Sequence, residues 1–181
     1  MRILVGMTLI AMTTAAAASG PAAATERREH GAHRHGHATL QAALDGGQLE
    51  IAVEAPGMDI VGFEHAPGDD AQKAKIAAAL RRLGDAGAMF DLPEAAGCAL
   101  TEAEAEQEAL ADAHGQKADA ADHTAFHAHY GWTCAKPEAL QTIRVRYFEH
   151  FPGIAEIDAA VIGPSGQTAQ ELTPQSPQLQ F

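Results

Sequence analysis

The chain has 181 residues, with 24 acidic against 12 basic side chains and a formal charge of −12 when its ten histidines are counted neutral. A phosphate-binding surface needs clustered Lys and Arg, and here the basic residues are few and scattered, which argues against a nucleic-acid partner. The length leaves about one domain once a leader is set aside, enough to bury an ordinary single core.

Residues 1–24 read as an export signal. Met1-Arg2 gives a positive start, Ile3 to Met12 a short apolar run, and Pro21-Ala22-Ala23-Ala24 an Ala-rich cleavage region. The apolar run is short for a spanning helix, and no later segment approaches that length. The mature chain is therefore expected to be soluble and periplasmic, with no stable membrane span. Residues 25–37 follow as a His-rich, mobile tract carrying His30, His33, His35 and His37, and the domain proper is expected over 38–181.

Ala38 to Leu44 and Gln48 to Ala55 flank Asp45-Gly46-Gly47, the signature of a hairpin, with Leu49, Ile51 and Val53 on one strand face. Pro56-Gly57 ends the alternation, and Met58 to Phe63 reads as a further extended apolar segment. Asp69 to Leu83 is the clearest helix, capped by Asp69 or Asp70 and stopped by Gly84; Ile76, Ala79, Leu80 and Leu83 recur at helical spacing, while Lys73, Arg81 and Arg82 form a solvated face. Met89 to Leu92 reads as a short strand. The stretch from Cys98 reads as a strand that dissolves into a polar linker, with a flexible loop near 107–123. Thr124 to Cys134, Thr142 to Phe148 and Ile157 to Ile162 read as strands. A helical turn lies near Lys136 to Leu140, a Pro164-Ser165-Gly166 turn follows the last of these strands, and a tail runs from Gln167 to Phe181. The sum is an α+β fold: mainly antiparallel β-sheet with one principal helix, in a single compact domain. Cys98 and Cys134 are an even pair in an oxidising compartment, so a stabilising disulfide is expected rather than a thiolate metal site.

The histidines carry the chemistry. As a strand, 125–134 places Phe126, Ala128, Tyr130, Trp132 and Cys134 on one face and His127 with His129 on the other, about 7 Å apart along the backbone. That separation lets two imidazoles approach one metal. In the N-terminal tract, His35 and His37 share a face if extended, and His33 and His37 share one if helical. Glu64-His65 is a third candidate cluster; His114 and His123 could gather metal more weakly, and His150, between two phenylalanines, reads as a partly buried non-ligand. Imidazole with carboxylate suits Zn2+, Cu(II) or Ni(II), and the residue types alone do not choose among them. No nucleophile elbow, phosphate loop, His-Glu-x-x-His helix or dinucleotide fingerprint is present, so a non-enzymatic role is expected. The competing reading is an exported β-rich interaction domain whose histidines are incidental.

Several segments resemble the ZrgA-type family of periplasmic zinc-binding proteins. They are His35-Gly36-His37-Ala38-x-Leu40, Glu54-Ala55-Pro56-Gly57-Met58-Asp59-Ile60-Val61-Gly62-Phe63-Glu64-His65, Cys98, His127-Ala128-His129-Tyr130-x-Trp132-x-Cys134, Phe148-Glu149-His150-Phe151-Pro152-Gly153 and Gly166-Gln167-x-Ala169-x-Glu171-Leu172. The resemblance implies a protein that binds Zn2+ and buffers it or passes it to a high-affinity importer or a periplasmic zinc solute-binding protein. The ligands it implies are among His35, His37, Glu64, His65, His127 and His129. A long central His/Asp-rich tract, frequent in such proteins, is reduced here to His114 and His123, which shifts weight from bulk zinc collection to sites on the folded domain.

Overall fold

The expected hairpin forms. In the computed structural model, which describes residues 34–109 and 123–181, β1 (His37–Asp45) and β2 (Gln48–Pro56) pair antiparallel with Asp45 opposite Gln48. The two-residue loop places both Gly46 (φ +53°) and Gly47 (φ +92°) in the left-handed region, which glycine enters without a Cβ penalty. Met58 to Phe63 is not extended. A single turn, α1 (Gly57–Val61), forms instead, and the chain turns as it leaves β2 so that Val61 and Phe63 are buried. Gly57 makes that bend possible: a Cβ there would lie 2.8 Å from the Phe63 carbonyl oxygen.

Helix α2 (Asp70–Leu83) forms as expected, with Asp69 accepting from the Gln72 amide at 2.8 Å and Ile76, Ala79 and Leu83 buried. Short α3 (Ala86–Met89) leads into β3 (Phe90–Asp91), inside the stretch read as a strand. Strand β4 (Cys98–Ala109) is longer than expected. It stays paired to β5 (Thr124–Cys134) as far as Ala109, so the polar stretch begins after that residue rather than at Gln107. The Ala–Glu alternation fits a half-buried strand because Ala103 and Ala105 pack on the core while Glu102, Glu104, Glu106 and Glu108 face outward. A 3-10 turn occupies Pro137–Ala139, β6 spans Thr142–Val145, and α4 (Tyr147–His150) replaces the expected end of that strand. Tyr147 is still buried, but a helical turn puts it there rather than the strand period. β7 (Glu156–Gly163), β8 (Gly166–Leu172) and β9 (Gln178–Gln180) complete the fold.

Six strands form one sheet in the order β4-β5-β2-β1-β7-β8, antiparallel except for the β1–β7 pair, and β3-β6-β9 form a second. The inner face of the large sheet carries Leu40, Leu49, Ile51, Val53, Phe126, Tyr130, Trp132, Ile157 and Val161; α2 and the small sheet cover it with Leu83, Phe90, Ile143, Val145 and Leu179. Two buried hydroxyls are resolved within this core. Tyr130 donates to the Leu83 carbonyl at 2.6 Å, which leaves Tyr147 to donate to Tyr130 across 2.7 Å. Burial raises both phenols above the ordinary tyrosine range. Cys98 and Cys134, direct partners across β4 and β5, form the disulfide. Among the described residues no helix is long and apolar enough to cross a membrane.

Candidate metal centre

The outer face of the large sheet follows from the same period-2 alternation that builds the core. None of its six strands contains Lys or Arg. The outward positions hold Glu50 and Glu54 on β2, the four glutamates of β4, Glu156 and Asp158 on β7, and Glu171 on β8. Three imidazoles are set among them: His37, His127 and His129.

His127 and His129 lie on one face of β5, as the alternation requires, but their rings engage different carboxylates. His129 Nε2 lies 3.0 Å from Glu50 and its Nδ1 3.5 Å from Glu102. His127 Nε2 is 3.6 Å from Glu108, with its Nδ1 4.0 Å from Glu54. Each ring is thus held between one glutamate of β2 and one of β4. Gly131 lies between Glu50 and Glu102 across the three strands, and a Cβ there would be tight only against the Thr101 hydroxyl, at 3.0 Å. Donor atoms of Glu50, Glu102 and His129 all lie within 4.8 Å of one another.

A different kind of cluster sits where β1 begins, β2 ends and β5 begins. Glu64 follows α1 and is 7% exposed, a low value for a carboxylate. Each of its oxygens meets an imidazole: His123 Nδ1 donates to Oε2 at 2.7 Å, and His35 Nε2 lies 3.2 Å from Oε1. Both rings are largely exposed, at 59% and 62%, and their nitrogens do not close on a common point with a Glu64 oxygen as the donors of Glu50, Glu102 and His129 do. Beside them, buried Asp59 accepts the Gly36 amide through both oxygens, at 2.9 and 2.8 Å. Gly36 has φ +83°, and the clamp at its nitrogen sends the two flanking histidines to different partners. His35 reaches Glu64, whereas His37 Nδ1 lies 3.2 Å from Glu156. His65 does not join the cluster. It is exposed, stacks on Phe63, and donates Nδ1–H to the Ala66 carbonyl at 2.8 Å.

His33, like His30, His114 and the 1–24 segment, lies outside the described residues. The carboxylates Glu50, Glu54, Glu102, Glu108, Glu156 and Asp158 were missed from sequence because acidic residues are common on any strand; only the register places them beside imidazoles. Asp59 was missed because its segment reads as extended rather than as the helical turn that buries it. The cue available for His123 was its position immediately before a strand that starts beside the Glu64 turn.

These features define a disulfide-bonded, β-rich domain whose histidines are interleaved with carboxylates suited to a divalent cation. The chain belongs to the ZrgA family of zinc uptake proteins, which it matches over residues 32–181. No curated protein sequence matches it.

Proposed function

We propose that the protein is a non-enzymatic periplasmic zinc binder that buffers Zn2+ or delivers it to a high-affinity importer, with Glu64 as the fixed ligand and His35 and His123 as its imidazole partners. The observation that carries this reading is the buried Glu64 carboxylate contacted on each oxygen by a solvent-exposed imidazole. A buried carboxylate is costly unless compensated, and here the compensating groups are themselves zinc ligands. The two imidazoles face different oxygens of Glu64, so both rings must rotate to share one ion. Two imidazoles and one carboxylate would then leave a position of a tetrahedral zinc open to water or to a recipient's ligand, which suits a protein that must release its ion. The disulfide and the zinc-uptake family are compatible with an exported protein. The same ligand types would accept Cu(II), so zinc as the physiological ion rests on the family.

The test is a zinc titration near neutral pH followed by calorimetry and native mass spectrometry. Wild type is expected to bind stoichiometrically, and Glu64→Gln or paired His35→Ala and His123→Ala to weaken the tightest site by at least tenfold. Binding should also weaken on acidification, because imidazolium cannot ligate. Undiminished affinity in both variants would overturn the assignment of these ligands.

A further inference from the structure

The three-residue segment His35-Gly36-His37 serves two centres. Asp59 holds Gly36 by its amide, and the histidine on each side faces a separate carboxylate. We propose that His37, Glu156 and Asp158 form a second Zn2+ site on the open face of the sheet, separate from the Glu64 centre.

The register builds this site. β1 and β7 run parallel with His37 opposite Glu156 and Thr39 opposite Asp158, so all three side chains rise from the same face. One donor atom from each lies within 4.8 Å of the other two. His37 Nδ1 is withdrawn from solvent and has no hydrogen-bond partner, although a Glu156 oxygen lies 3.2 Å away without hydrogen-bond alignment. A polar nitrogen in that situation costs free energy that a bound cation would recover. The local charge points the same way. Asp158 stands directly opposite Glu171 on β8, a like-charge cross-strand pair that is destabilising by itself. Among the described residues no Lys or Arg pairs with Glu156, Asp158 or Glu171. A divalent ion supplies the missing positive charge. One imidazole and two carboxylate oxygens form an acceptable zinc set, with a harder donor balance than the two-imidazole Glu64 centre.

The identity of the ion rests on the zinc reading above, but the position does not, and the experiment separates them. Crystals of the protein grown with zinc are measured at the zinc absorption edge, and native mass spectrometry at low micromolar zinc compares wild type with a Glu156→Gln/Asp158→Asn variant. The expected result is an anomalous peak about 2 Å from a His37 ring nitrogen, and one zinc fewer bound by the variant. Without zinc the variant should be at least as stable as wild type, because it removes like charges, so a lost ion cannot be ascribed to unfolding. A peak at Glu64 with none at His37, or equal zinc counts in the two proteins, overturns the second site and leaves the main reading standing. A peak at His37 with none at Glu64 does the reverse. Density at His37 in the crystal without any difference at micromolar zinc also overturns the proposal.

Discussion

Asp59 shows how one residue sets up a site without standing out in the sequence. Its carboxylate fixes an amide 23 positions away, and the Pro152-Gly153 loop closes over it so tightly that a Cβ on Gly153 would fall 2.5 Å from the Asp59 carbonyl oxygen. Burial raises the Asp59 carboxyl above its ordinary value, against the lowering pull of the Gly36 amide and of His35. The native state therefore holds this proton more tightly than the unfolded chain does. The contribution of Asp59 to stability is largest below the unfolded value and declines as pH rises through the raised one. Asp59→Asn keeps an acceptor for Gly36 and removes the charge, so this decline should vanish. Urea midpoints of the two proteins across about pH 4 to 6 would show it: the gap should move in favour of the variant as pH rises, and parallel profiles would contradict the assignment. Sequence pattern could not reveal this role, since the Met58 to Phe63 segment reads as extended and Asp59 faces inward only because a helical turn forms there.

Among the elements, β4 and β5 tie period to function. The Phe126-to-Cys134 alternation separates core aromatics from outward histidines, and it is legible in sequence because an amphipathic strand must repeat every two residues. The Ala–Glu stretch of β4 was harder to read, since alanine and glutamate also favour helix. Pairing with β5 decides the matter, and the disulfide pins one end of that pairing. With the two cysteines 36 positions apart in sequence, the chain-entropy model puts the constraint at roughly 4 kcal/mol. Cys98→Ser/Cys134→Ser should therefore lower unfolding stability by about 2–4 kcal/mol, read by chemical denaturation. Adding reductant to wild type should reproduce the loss, and the double variant should be insensitive to it. Equal stability of variant and wild type would show that strand pairing alone suffices.

Across the whole molecule, charge is segregated. Helix α2 carries Lys73, Lys75, Arg81 and Arg82 exposed on one side, while the outer sheet face presents carboxylates and imidazoles and no Lys or Arg. Repulsion along β4 and β2 should be relieved by salt, because exposed charges are screened within about 10 Å at 0.1 M. Raising NaCl from low millimolar to about 0.3 M should lift the thermal midpoint by roughly 2–4 °C, the shift for about 1 kcal/mol in a domain of this size. A midpoint that falls or stays level would mean that the glutamate–imidazole contacts already balance the face.

The sequence alone determined the strand-rich α+β class, the hairpin, the principal helix, the disulfide and the family, because these follow from periodicity, turn chemistry, cysteine count and ordered local motifs. It also marked His33, His35, His37, Glu64, His65, His127 and His129 as metal-ligand candidates. Only the tertiary structure decided how they are grouped. His127 and His129 are neighbours in sequence yet lean toward different glutamates, whereas His35, Glu64 and His123 meet from three distant segments. Ligand grouping depends on strand register and on a clamp between residues 36 and 59, and long-range pairings of that kind leave no local period to read.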